Sequence, residues 1–162
     1  MAQNVAAEEK VMWLLDSGCF SHMTGRKEFF HWLNESVKQR VRMGDDSALE
    51  VQGKGCIAIQ MPNRGRRMIY GVKYVPNLAY NLLSVGQLIN NGYKLVFEKR
   101  RCCIHDTKSG EVFIEVFKDQ HNLFPIELSH SEVMNAVVGS NEEVAYLWHR
   151  RYGHLNFQGL QF

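Results

Sequence analysis

At 162 residues, with 45% apolar and 22% charged residues, the chain can bury roughly two-thirds of the surface its unfolded form exposes, around one principal core. A formal net charge of +2 is far below the charge density of a chain that lives by neutralising phosphates, so composition argues neither for nor against nucleic acid. Four cysteines, Cys19, Cys56, Cys102 and Cys103, contain no CxxC pair, which argues against a disulfide framework or a thiolate zinc site, and no apolar run approaches the ~20 residues of a membrane span.

Met1 to Lys10 is polar and acidic, unlike a signal peptide, and reads as a solvated arm over 1–10 of a soluble, intracellular chain. Val11-Met12-Trp13-Leu14-Leu15 follows, an unbroken apolar run that suits a strand buried on both faces and ends at Asp16-Ser17-Gly18. Arg26 to Leu33 fits either a short helix or a strand edge. Gly44-Asp45-Asp46-Ser47 is a turn signal between Val41-Arg42-Met43 and Ala48 to Val51, where Leu49 and Val51 alternate with polar neighbours. Gly53-Lys54-Gly55 interrupts, Cys56 to Met61 resumes a strand, and Pro62 to Gly65 turns again.

Met68 to Val75 predicts another strand, stopped by Pro76-Asn77. Asn81 to Ile89 predicts one short helix, because Leu82, Val85, Leu88 and Ile89 fall at helical spacing and Asn90-Asn91-Gly92 ends it. Tyr93 to Phe97, Cys102 to His105 and Val112 to Phe117 predict three more strands, the last two joined as a hairpin. Cys102 and Cys103, being adjacent, point to opposite faces. Short strands at this spacing suggest a barrel. From Ser129 to Val144 the text turns polar and acidic and reads as a linker.

Chemistry concentrates at Asp16. Two apolar residues running into Asp-Ser-Gly place a carboxylate at the tip of a buried strand, where a tight turn exposes it. An aspartic protease polarises a water between two carboxylates that share one proton, since like charges a few ångströms apart cannot both ionise near neutral pH. Ser17 has a hydroxyl able to hold such carboxylates coplanar, and Gly18 leaves room for a close backbone approach. Taken alone, Asp-Ser-Gly is also the sequence of a plain turn.

Trp13 to Cys19, followed by His22-Met23-Thr24-Gly25, resembles the protease signature of copia-type retrotransposon polyproteins. The resemblance continues, in order and at the family's spacing, through Gly44 to Ser47, Val51 to Gly55, Val75 to Leu78 and Asn81 to Leu88, covering residues 11–127. It implies a mainly β fold, a small retropepsin-like closed β-barrel with one short helix. It also implies an aspartic endopeptidase that cleaves its own Gag-Pol precursor as a homodimer, one Asp per chain, in the cytoplasm or the particle of its element. Of Asp16, Asp45, Asp46, Asp106 and Asp119, Asp16 alone sits in an Asp-Ser-Gly, so Asp16, Ser17 and Gly18 are the candidate catalytic residues.

By the same resemblance the Asp45 to Gly55 hairpin corresponds to a flap over a substrate groove, with Gly53 and Gly55 allowing it to bend; a strand bulge is the alternative for both glycines. Leu82-Leu83 with Gly86 matches the apolar-apolar-glycine segment that packs under the catalytic loop, and ordinary helix packing also fits it. The chain departs from the family at Phe20, where Ser or Thr is usual. The mechanism requires no imidazole, so His22 reads as structural.

A second motif, Leu147 to Phe157, resembles the opening of the GAG-pre-integrase module, a helical segment in 146–162 beyond a linker at 128–145. There His149 and His154 would join two later cysteines around zinc. No cysteine follows His154 here, so no cofactor or metal is expected in this chain. A catalytically silent barrel, either an element fragment or a host-adopted binding module, is the alternative function. A nucleic-acid module would have to rest on Arg64 to Arg67 and Lys99 to Arg101, both of which sit at turns without interleaved aromatics.

Overall fold

The computed structural model describes residues 9–61 and 65–130. The apolar run becomes β1 (Glu9–Asp16), but only one of its faces is fully buried. Val11, Trp13 and Leu15 point into the core, while Met12 is 51% exposed, so the expectation of two buried faces is corrected. Next come β2 (Met23–Thr24), a single 3-10 turn (Lys27–Phe29) and β3 (Phe30–Asn34), which together answer the ambiguity over Arg26 to Leu33.

The turn signal at Gly44 joins β4 (Gln39–Arg42) to β5 (Ala48–Val51), with Asp46 at φ 66° in its tip, a conformation Asp tolerates better than most residues. β6 (Gly53–Met61) and β7 (Gly65–Tyr74) form the longest hairpin. Gly53-Lys54-Gly55 therefore lies inside a strand and does not interrupt one.

The predicted helix at Asn81 divides in two: β8 (Asn81–Ser84) and then α1 (Val85–Asn90). Parallel pairing with β1 pulls the first half into the sheet, Leu82 and Leu83 turning to opposite sides, and Ser84 caps the helix by accepting the Gln87 N–H at 3.2 Å. β9 (Tyr93–Phe97), β10 (Arg101–Asp106) and β11 (Val112–Phe117) follow as expected. β12 (Pro125–His130) extends past residue 127, so strand occupies the start of the expected linker. The expected C-terminal helical segment, with His149 and His154, lies outside the described residues.

Strands run β12-β1-β8-β2-β7-β6 around a closed barrel, completed where β12 also pairs with β6 through Ser129↔Gln60 and His130↔Ile59, and β3 adds to the outer edge of β6. β1–β8 and β2–β7 are parallel. Inside lie Trp13, Ile57, Ile59, Ile69, Val72 and Leu83, and Cys102, Ile104, Phe113 and Val116 from the β9–β11 sheet join the same buried cluster. Each such side chain contributes about 1.5–3 kcal/mol by burial.

The Trp13 indole donates to His130 Nε2 at 3.1 Å, and His130 stacks on Phe29 with centroids 4.0 Å apart, so the first strand, the 3-10 turn and the last strand meet in one place. Arg67 ties β7 to the second sheet through Asp106 at 3.1 Å. No helix among the described residues is long and apolar enough to cross a membrane.

Candidate functional site

Asp16 ends β1 directly opposite Ser84 of the parallel strand β8. Its Oδ1 accepts the Gly18 N–H at 2.7 Å, which folds the turn back on its own carboxylate. A Cβ on Gly18 would stand 3.2 Å from that oxygen, a tight contact that the carboxylate could relieve by shifting a few tenths of an ångström. Ser17 and Gly18 are exposed, Asp16 partly so, and Phe20 is 98% exposed. The three residues expected to act together thus share one surface turn. Among the described residues the Ser17 hydroxyl has no hydrogen-bond partner.

Asp16 sits on the outer side of the barrel wall, with Met12 and Leu14. Next to it lies a second buried cluster, built from Met23, Val51, Val75 and Leu82 and lined by Leu14, Cys19, Val41, Met43, Leu49 and Leu78. The β4–β5 hairpin, through Val41, Leu49 and Val51, thus shares one buried cluster with Leu14 and Cys19.

Gly53 and Gly55 have a different environment. Both are buried in β6, where a Cβ on Gly55 would fall 1.9 Å from the Trp32 carbonyl and one on Gly53 would fall 2.8 Å from the Leu33 side chain. Close packing against β3 accounts for both, as does the neighbouring bulge where the β6–β7 register shifts between Gly55 and Ile57.

A polar weave that the sequence did not announce holds the turn from behind. His22 is fully buried, and its Nδ1 accepts the Ser84 N–H at 2.9 Å. The Ser84 hydroxyl donates to the Cys19 carbonyl at 2.8 Å. Gln87 Oε1 accepts the His22 N–H at 2.7 Å, while its Nε2 donates to the carbonyls of Tyr70 and Gly71 at 3.1 and 3.0 Å. Tyr70 and Gly71 together stand opposite Cys56, where the β6–β7 register shifts. Gly71 has φ 72°, and a Cβ there would lie 2.2 Å from Gln87 Nε2. Thr24 and Asn81 add a side-chain bond of 2.6 Å across β2 and β8. Of these, the one signal available beforehand was glycine inside a strand, which marks a bulge.

Burial sets the electrostatics. It pushes the His22 imidazole down to about 3, so the ring is the neutral acceptor that Ser84 requires. Burial, together with the nearby Asp16 carboxylate, lifts the Cys19 thiol to about 11. Cys56 and Cys102 are lifted to about 11 by burial as well, which leaves them inert, and all four cysteines are free.

No group of three or more His, Cys, Asp or Glu side chains suited to a metal occurs among the described residues. Two shallow hollows, of about 310 and 420 Å³, are lined by residues such as Lys10, Gln60 and Phe113 and by Lys38 to Arg40 with Glu50 to Gln52; Asp16 borders neither. In the basic clusters, Arg67 and Arg101 are taken up by carboxylates, Arg67 by Asp106 and Arg101 by Glu98 and Glu115.

The described fold is a closed barrel whose first strand ends in a partly exposed Asp-Ser-Gly turn beside a parallel strand. The family described as Pol polyprotein, beta-barrel domain matches residues 13–93, and the GAG-pre-integrase domain matches residues 122–162. The chain belongs to the copia-type retrotransposon Pol polyproteins.

It is 27% identical over 150 residues to the Retrovirus-related Pol polyprotein from transposon RE1 of Arabidopsis thaliana, covering 88% of this chain and 10% of that one. It is 28% identical over 151 residues to the Retrovirus-related Pol polyprotein from transposon TNT 1-94 of Nicotiana tabacum, covering 92% and 11%. With the Putative transposon Ty5-1 protein of Saccharomyces cerevisiae it shares 29% identity over 85 residues, 52% of this chain and 55% of that one. The chain thus spans about a tenth of the length of the two plant relatives. The GAG-pre-integrase match takes in β12, the strand that closes the barrel.

Proposed function

We propose that this region of the Pol polyprotein is an aspartic endopeptidase that works as a homodimer and cleaves the Gag-Pol precursor. Asp16 from each of two chains would hold one water between a shared proton and a free carboxylate, with Ser17 and Gly18 shaping the turn. The observation that carries this reading is a partly exposed carboxylate, bonded to its own Gly18 N–H, on a surface turn beside exposed Phe20. One chain supplies one such carboxylate, so the active site needs a second copy.

The hairpin over the Leu14–Cys19 cluster serves as the flap, and Gly53 and Gly55 contribute to the groove only through the packing that roots it. Catalysis of this kind uses no cofactor. His149 and His154 become zinc ligands only where the polyprotein supplies two cysteines. The reaction belongs to the cytoplasm or the particle of the element, with polyprotein peptide as substrate and neither membrane nor nucleic acid as partner.

A silent barrel is the second reading, and one observation favours it: both backbone edges of β1 are already paired within one chain, by β12 and β8. Expression of the chain inside a longer precursor separates the two. The protease reading expects cleavage that strengthens toward acid, a dimer in sedimentation, and loss of about a thousandfold or more on Asp16→Asn. A monomer at micromolar concentration that leaves the precursor intact establishes the silent barrel.

A further inference from the structure

We infer that His22 is the positioning residue of the Asp16 turn: through Ser84 its imidazole fixes the loop that follows the carboxylate, acting on the reaction without touching substrate. The inference rests on the protease reading for its consequence, though not for its geometry.

Chain direction makes the argument. After Asp16 the backbone leaves the sheet at Ser17 and must return at β2, and in between Phe20 is 98% exposed and held by nothing around it. Two points fasten this excursion. At Cys19 the carbonyl accepts the Ser84 hydroxyl at 2.8 Å. At His22, whose ring is wholly buried, three groups converge: Nδ1 accepts the Ser84 N–H at 2.9 Å, the backbone N–H donates to Gln87 at 2.7 Å, and the carbonyl accepts the Lys73 N–H at 2.9 Å. Ser84 thus touches both fastenings while standing opposite Asp16 in the parallel register. A shift of Ser84 moves the turn and the strand beside the carboxylate together.

The imidazole is chosen for one nitrogen. Because a backbone N–H can only donate, Nδ1 must be the bare nitrogen and the proton must sit on Nε2. Among the described residues that buried Nε2 has no hydrogen-bond partner. A fold that needed only filling would put Leu there; keeping an unsatisfied donor marks the acceptor beside it as the part in use. Asn at this position offers a carbonyl oxygen close to where Nδ1 lies, and Leu offers none.

The test compares His22→Asn with His22→Leu in the full chain within its precursor. His22→Leu lowers kcat by about a hundredfold, the size of loss a sub-ångström displacement produces, with KM within about threefold. His22→Asn restores kcat to within about fivefold of the parent. In the same samples amide hydrogen exchange at residues 17–22 and at Ser84 speeds up about tenfold in the Leu variant and not in the Asn variant, while β9–β11 exchange as before.

Equal impairment of the two variants, or unchanged exchange at residues 17–22 in the Leu variant, overturns the inference. Should His22→Leu fail to fold, His22→Asn alone decides: residues 17–22 must exchange as slowly as in the parent, and a turn that loosens although the acceptor is kept overturns the inference. If the parent cleaves nothing and Asp16→Asn changes nothing, the protease reading falls, and exchange still decides whether His22 holds the turn.

Discussion

The barrel interior and the wall beside Asp16 are built by different physics. Inside, Ile57, Ile59, Val72 and Leu83 are apolar and their burial is non-directional, so an apolar side chain of similar volume is the best-tolerated replacement, Trp13 alone among the residues named adding a directed bond to His130. Beside Asp16, His22, Ser84, Gln87, Thr24 and Asn81 are joined by directed bonds of 2.6 to 3.2 Å, each of which fails if its partner changes chemistry. Apolar packing makes the barrel stable, whereas the weave makes one turn stay in one place.

Substitution should therefore separate stability from placement. Trp13→Ala has the largest expected effect, about 3–5 kcal/mol of lost stability, because it empties a fully buried site and strips His130 of a donor. Denaturant unfolding measures it, and a loss below about 1 kcal/mol contradicts a barrel centred on this residue. Gly71→Ala follows, at roughly 1–2 kcal/mol for a left-handed backbone position, with the Gln87 amide displaced as well. Its effect on turn exchange at residues 17–22 should exceed its effect on β9–β11.

Acid distinguishes the two regions by sign. His22 has a folded-state value of about 3, below the ordinary 6.5, so the unfolded chain takes up the proton first. The stability this site contributes is whole above about pH 6.5 and is lost as pH falls toward 3. His22→Asn removes the titrating group and should flatten that part of the stability profile.

The smallest effect is expected at Lys54 and Lys73, which stand directly opposite each other on β6 and β7 and have no ion pair among the described residues. Burial, then the Lys54 charge, lowers the Lys73 ammonium below its usual range. Lys54→Met should raise stability by about 0.2–1 kcal/mol, read from the same unfolding curves.

The elements set by local signals were the legible part. Alternation around Leu49 and Val51, the turn at Gly44 and the hairpin after Cys102 are local signals, and each element stands where they put it. Asp16, Ser17 and Gly18 could be named as candidates because the motif is contiguous in sequence, and the structure places them together on one surface turn. Asn81 to Ser84 was misread as helix because Leu82, Val85 and Leu88 do fall at helical spacing. Their pairing partner, β1, lies some 68 residues away and leaves no trace in that window. The weave was hidden for the same reason: His22 meets Ser84 and Gln87 only after the chain has crossed the sheet. β12 was divided between barrel and linker because a strand that closes a ring carries no more signal than one at an edge.

The most direct measurement mixes subunits. Parent chain at fixed concentration, well above its dimer dissociation constant, is combined with an equal amount of Asp16→Asn chain, and precursor cleavage is followed. Two carboxylates from two chains predict a fall to about half, since half of the parent chains are then paired with an inert partner, and a further fall as the variant is added in excess. Cleavage that stays at its unmixed rate whatever the excess contradicts a shared site.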